Sequence, residues 1–270
     1  MSKIKLNLRN VSVMYEDNGS KYLAVKNVNI SVREGEFLSI IGPSGCGKST
    51  LLNLIAGLIS PSSGSILLDE DEIKGPGTER GVVFQHYSLF PWMTARKNII
   101  FGLKQLYKEK SNEEIKRTAD RYLDMVGLSN FKNKYPAQLS GGMQQRVAIA
   151  RALAMNPEIL LMDEPFGAVD AKNRAILQDL LLKIWESGQH RKTVIFITHD
   201  IDEAILLSDR IIVMSAGPGS VKKELHVPFK RPRERTIMVK NKEYTDLRNQ
   251  ILDLFYDDLV QKIGGEEVII

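Results

Sequence analysis

The sequence predicts an α/β fold built on a mainly parallel sheet, with a helical segment inserted into it. Three observations carry that expectation. Apolar, β-prone runs alternate with helix-forming stretches over residues 159–214, which is how a parallel sheet covered on both faces reads. A further apolar run, residues 37–41, leads through a glycine-rich turn directly into the helix-forming residues 51–56, a strand–loop–helix unit. Between Gln85 and the strand at Ile159 the pattern is mostly helical.

Taken in order, residues 3–13 and 25–32 read as strands, and Glu34-Gly35-Glu36 turns the chain into the strand at 37–41. Pro61-Ser62-Ser63-Gly64 is a turn before a short strand at 65–68, and residues 81–84 form another strand that ends at Gln85. From 111 to 128 the period becomes helical. Ser111 and Glu114 make a capping-box pair, and Ile115, Ala119, Tyr122, Leu123 and Val126 share one face. A helix over 142–155 is stopped by Pro157, and strands at 159–162, 194–197 and 211–214 then alternate with helices at 171–186 and 202–207. After Gly217-Pro218-Gly219, the basic stretch 230–235 reads as a solvated linker. A terminal helix follows, with Leu247, Ile251, Leu254, Phe255 and Leu259 on one stripe that suits core packing first and a partner surface second. One domain is therefore expected over residues 1–230, with a helical subdomain at about 88–157, and a linker and helix over 231–270.

Bulk properties bound the class. A chain of 270 residues with 43% hydrophobic and 26% charged residues suits a soluble globular protein. Its apolar runs fall far short of the ~20 residues that span a bilayer, and its start alternates like a strand, without a secretory apolar core. A single cysteine excludes an internal disulfide framework and suits a reducing cytoplasm. The net charge of +4 is too mild to select nucleic acid or acidic lipid as a partner.

The chemistry begins at Gly42-Pro43-Ser44-Gly45-Cys46-Gly47-Lys48-Ser49-Thr50, which satisfies G-x-x-x-x-G-K-[ST] in full. Its glycines let backbone N–H groups point inward at an anion, and the following helix dipole adds positive potential there. Lys48 offers a charge to the outer phosphates and Ser49 a hydroxyl to magnesium; Cys46 is a small loop residue. The ligand is a nucleoside triphosphate. Asp163 ends an apolar strand, as expected of a carboxylate that orders magnesium and its water. Glu164 beside it is placed to polarise an attacking water, the alternative being a solvated loop residue. In Leu139-Ser140-Gly141-Gly142, a capped helix start with uncovered backbone presents a second anion site.

Together these motifs resemble the ATP-binding subunits of ABC transporters. The resemblance runs from Tyr15 to about Met214 through Gln85, Leu139-Ser140-Gly141-Gly142-Met143, Asp163-Glu164-Pro165, Ala168-Val169-Asp170 and Thr198-His199-Asp200, in the family's order. It implies a P-loop NTPase (ABC ATPase) core with a mainly parallel sheet, an antiparallel β subdomain and an inserted α-helical subdomain. It also implies an ATPase using ATP and Mg2+. Tyr15 matches the aromatic that stacks on adenine, with Tyr22 as the alternative and strand packing as the plainer role of both. Gln85 matches the residue that touches magnesium and the attacking water. His199 matches the histidine on the γ-phosphate, and Asp170 the acid that bridges subunits. In the Ser140-Gly141-Gly142 segment, Ser140 and Gly142 match contacts to the nucleotide held by a second ATP-binding subunit, so two ATP molecules would be sandwiched in a dimer, in all expectation a homodimer.

Met143 departs from the family's usual glutamine, and Gly167 from a frequent serine. With residues 164–170, 181–185, 199–204 and 215–219 and Arg231-Pro232-Arg233, they look like the nitrate/sulfonate/taurine importer branch. That branch implies two transmembrane permease subunits, an extracytoplasmic solute-binding protein and a peripheral place on the cytoplasmic face of the cell membrane. Ser88-Leu89-Phe90-Pro91-Trp92-Met93 is either a groove for the permease or subdomain core. No nucleic-acid partner is expected: the tandem cassettes, coiled coils and cysteine pairs of soluble ABC ATPases are missing from the sequence. An exporter subunit is the other alternative, while a small-molecule kinase has no use for the Leu139–Gly142 segment.

Overall fold

A computed structural model of the chain describes residues 3–17, 19–85, 88–167, 169–187, 191–215 and 217–265, with side chains at all of these but 17, 187 and 256–265. Ala168, Ala216 and the side chain of Leu259, all within the stretches singled out above, lie outside the described residues. In chain order the elements are β1 (Ile4–Asp17), β2 (Ser20–Arg33), β3 (Phe37–Ile41), α1 (Lys48–Ala56), β4 (Ser63–Leu68), β5 (Asp71–Glu72) and β6 (Arg80–Val83). Then come α2 (Ala95–Leu106), α3 (Asn112–Met125), α4 (Gly141–Ala154), β7 (Ile159–Asp163), α5 (Ala171–Ser187), β8 (Thr193–Ile197) and α6 (Ile201–Leu207). β9 (Arg210–Ser215), β10 (Ser220–His226), α7 (Arg235–Met238) and α8 (Lys242–Gly265) close the chain.

Two compact units are built from these elements, one from residues 1–75 and 195–270, the other from residues 76–194. In the first unit β1 pairs antiparallel with β2 and β4, and β4 with β5, giving a sheet in the order β2-β1-β4-β5. This is the antiparallel β subdomain. β3 and β9 pair in parallel, Leu38 opposite Arg210 through Ile41 opposite Val213. Every residue of β3 is buried, which is why its sequence is continuously apolar rather than alternating. β10, absent from the sequence-based expectation, adds antiparallel to β9 as an edge strand; its lysines at 222 and 223 suit an edge.

The stretch expected to be a solvated linker is a correction. The Arg231 and Arg233 side chains are 9% and 2% exposed. Arg231 donates to Asp209 and to the Leu207 carbonyl, and Arg233 Nη1 donates to the carbonyls of Ile205, Leu206 and Ser208 at 2.9, 3.1 and 2.6 Å. These carbonyls belong to the last turn of α6, whose acceptors have no partner within the helix. The arginines are buried because they satisfy that end.

The second unit holds the parallel pair β6–β7 and the helical subdomain. Ser111 caps α3 with the capping box completed by Glu114, as expected. Ile115, Ala119, Leu123 and Val126 are buried on the face the periodicity marked, with Ile99, Leu103, Val147 and Ala150 as neighbours in one cluster. Each such side chain contributes about 1.5–3 kcal/mol by leaving water, so the subdomain has a core of its own.

Candidate active site

The phosphate loop is built in the first unit. Gly47, the N-cap of α1, has φ of 88°, and a Cβ there would lie 2.7 Å from Val25 Cγ2, so glycine is needed twice over, for conformation and for space. α1 has no side-chain cap and no acidic residue in its first turn. Its first N–H groups and its positive dipole end thus remain suited to an anion. Lys48 is 7% exposed, and its Nζ donates to the Gly42 and Pro43 carbonyls at 2.8 and 3.0 Å. Two fixed carbonyl acceptors hold the ammonium inside the turn of the loop. Cys46 is fully buried, and burial pushes its thiol up, so it packs as a small neutral residue. Ser44, Gly45 and Ser49 are on the exposed side of the loop and Thr50 is half-buried.

One further residue of that unit bears on the loop. A Cβ on Gly219 would sit 1.9 Å from the Cys46 carbonyl oxygen, while its N–H donates to the Ala24 carbonyl at 3.0 Å. The second glycine of Gly217-Pro218-Gly219 therefore backs the phosphate loop, a role the sequence shows only as a turn. His199 follows β8 and is exposed. Its neighbours are tied together: Asp200 N–H donates to Thr198 Oγ1 at 3.0 Å, and Thr198 Oγ1 donates to Glu203. Tyr15 and Tyr22 are directly opposed across β1 and β2, and both are exposed. Opposed residues share a sheet face, so this is an open aromatic pair, not strand core.

The second unit holds the other candidates. Asp163 ends β7, half-buried, and Glu164 follows with φ of 41°. A glutamate in the left-handed region carries backbone strain of ~1–3 kcal/mol, which characteristically gathers at functional positions. Gln85 Nε2 lies 3.5 Å from Glu164 Oε2, so the residue after β6 and the acid after β7 converge. Gly167 N–H donates to the Glu164 carbonyl at 3.1 Å. A serine Cβ at 167 would make only ordinary contacts at 3.5 Å and beyond, so the glycine is not sterically required. Ser140 caps α4, its Oγ accepting from Met143 N–H at 3.3 Å, and stays exposed; Gly141 and Gly142 open the helix. A Cβ on Gly142 would lie 3.6 Å from Val169 Cγ1 and 3.7 Å from Asn173 Cβ. Asp170 is exposed and caps α5, accepting from Asn173 N and Nδ2 at 3.1 and 2.6 Å. The Asn173 amide holds its carboxyl below the usual carboxylate range.

Compared with known proteins, residues 25–167 match the family model described as ABC transporter. The chain belongs to the ABC transporter family. This ABC ATPase is 51% identical over 236 residues to the nitrate import ATP-binding protein NrtD of Synechococcus elongatus, covering 87% of this chain and 85% of that protein. It is 47% identical to the bicarbonate transport ATP-binding protein CmpD of a Synechocystis strain, covering 93% and 89%. Among solved structures it is similar to a dimeric ATP-binding cassette in a post-hydrolysis state bound to ADP and Pi. The TM-score there is 0.74 at 39% identity, over 83% of this chain and all of that one. The ABC ATPase is an ATP-binding, ATP-hydrolysing transporter subunit, of a branch whose named relatives are importers.

Among the described residues no three His, Cys, Asp or Glu side chains gather as a metal cage. Magnesium does not need one: it keeps several waters and takes one or two carboxylates plus substrate phosphates. The hydroxyl of Ser49 beside the phosphate loop and the half-buried carboxylate of Asp163 are donors of that kind.

Proposed function

We propose that this ABC ATPase drives an importer as a dimer of two copies of the chain. On this reading the backbone of Gly42–Thr50 cradles the phosphates of ATP, Lys48 pairs with the outer ones, and Tyr15 stacks on adenine. Ser49, Asp163 and Gln85 would hold Mg2+, which neutralises charge on the phosphates when bound. Glu164 takes the proton of the attacking water, Gln85 orients it, and His199 donates to the γ-phosphate. Ser140, Gly141 and Gly142 act on the nucleotide of the partner copy, and Asp170 bridges the copies. Closure excludes water from the reacting centre, and hydrolysis reopens it. The observation that carries the catalytic part is the convergence of Gln85 on Glu164, the acid held at φ of 41°.

Two transmembrane permease subunits would anchor the dimer at the cytoplasmic face of the membrane, supplied by an extracytoplasmic solute-binding protein. No helix among the described residues is long and apolar enough to cross a membrane. The cargo is a small solute of the nitrate, sulfonate or taurine kind, as the resemblance to that branch implies; the relatives named above are nitrate and bicarbonate transport proteins. Residues 88–93 support the permease contact. Fully buried Asn98 pins them, its side chain bonding Phe90 N–H and the carbonyls of Phe90, Met93 and Thr94. Phe90 packs on Phe101 and Trp92, ring centroids 4.7 and 5.5 Å away, while Trp92 itself is 68% exposed. An exposed tryptophan on a pinned loop is the form of a binding anchor. Trp92→Ala is expected to leave ATP binding and basal hydrolysis by the isolated subunit within about twofold, since surface changes alter stability little, while cutting transport by the reconstituted complex. Loss of nucleotide binding in that variant would contradict the assignment.

A further inference from the structure

The residues on either side of His199 are tied to α6, and α6 is held at both ends by the C-terminal segment. At its N-terminal end, Asp200 caps the helix by accepting from Glu203 N–H at 3.0 Å, and Thr198 bonds both Asp200 and Glu203. In that same first turn Asp202 Oδ1 accepts from Tyr244 Oη at 2.6 Å and from Arg248 Nε at 2.8 Å, both on α8. At the C-terminal end, Arg231 and Arg233 bond the carbonyls of Ile205, Leu206, Leu207 and Ser208. The brace itself is rooted. Tyr244, Leu247 and Ile251 are 7%, 8% and 0% exposed on one side of α8. Burial and the facing Asp202 carboxylate push the Tyr244 phenol up, which keeps it a proton donor. α6 spans only seven residues, so a rotation at its first turn passes directly to the residue that precedes its cap.

We infer that α8 positions His199, with Tyr244 and Arg248 acting through Asp202 and the first turn of α6. This rests on the reading that His199 contacts the γ-phosphate. Tyr244 and Arg248 are positioning residues and touch no nucleotide themselves. Their loss therefore affects recognition of the third phosphate and leaves the grip of Gly42–Thr50 on the first two.

The test titrates the full chain with ADP and with AMP-PNP, alongside steady-state hydrolysis and thermal melts. His199→Ala should weaken AMP-PNP and spare ADP. Tyr244→Phe, which keeps the ring packing, and Arg248→Gln should each weaken AMP-PNP and lower kcat by roughly 3–10-fold with ADP affinity unchanged, the scale of coupling between contacting residues. Arg248→Lys should recover most of the loss. In the His199→Ala background, Tyr244→Phe should add nothing. An equal loss in that background, or ADP and AMP-PNP affinities falling together, would overturn the positioning role. So would a normal His199→Ala response beside unaffected Tyr244→Phe and Arg248→Gln proteins. If His199→Ala itself leaves AMP-PNP binding unchanged, the γ-phosphate reading fails first and the brace with it.

Discussion

The helix starts at Gly47 and at Ser140 are built in opposite ways. α1 begins with a glycine in the left-handed region, no side-chain cap and a lysine turned back onto the loop's own carbonyls. α4 begins with a serine that already spends its hydroxyl on the backbone of Met143 and remains exposed. An uncapped start wrapped by a glycine loop supplies its own enclosure for an anion. A capped start on the surface supplies only one side of a site, and something outside the chain must supply the other. The difference teaches that two segments with phosphate chemistry can fail separately, one at binding and one at assembly.

The comparison breaks most sharply at Lys48. Lys48→Ala removes a charge-assisted contact worth ~1.5–3 kcal/mol, so ATP binding to the monomer should weaken by roughly 10–150-fold; equilibrium dialysis or titration calorimetry reads this, and unchanged affinity would contradict it. The smaller effect lies at Ser140. Ser140→Ala removes an N-cap worth ~1 kcal/mol, which lowers the melting temperature by about 2–4 °C in a chain of this size. Monomer ATP affinity should be untouched while ATP-dependent dimerisation is lost. Weakened binding by the Ser140→Ala monomer would place Ser140 in the site of its own chain and collapse the distinction.

What could be read from sequence follows the range of the interaction. The phosphate loop, the Ser111–Glu114 capping box and the buried runs at β3, β7 and β8 are set by residues within a few positions, and they form where expected. The Gln85–Glu164 approach joins residues 79 positions apart in the chain, so no local pattern shows it; Glu164 is legible beside the strand-end Asp163, and Gln85 only through the resemblance to a family. Arg231 and Arg233 looked like solvated charge because their acceptors, the carbonyls ending α6, lie some 25 positions upstream, at separations of 24 to 28 residues. Gly219 was legible as a turn, but its approach to the Cys46 carbonyl is tertiary. β10 was missed because its sequence, Ser220–His226, alternates only partly and sits at an edge beside β9, where pairing is decided by the neighbour.

The central claim is that Glu164 drives hydrolysis in a site closed by a second copy of the chain. Purified Glu164→Gln protein, given ATP and magnesium, should be examined by sedimentation velocity beside a hydrolysis assay. ATP binding should be normal, turnover reduced by about 100-fold or more, the scale of losing a general base, and the protein a stable dimer holding two ATP molecules. Hydrolysis near the wild-type rate, or a protein that stays monomeric with ATP bound, would contradict it.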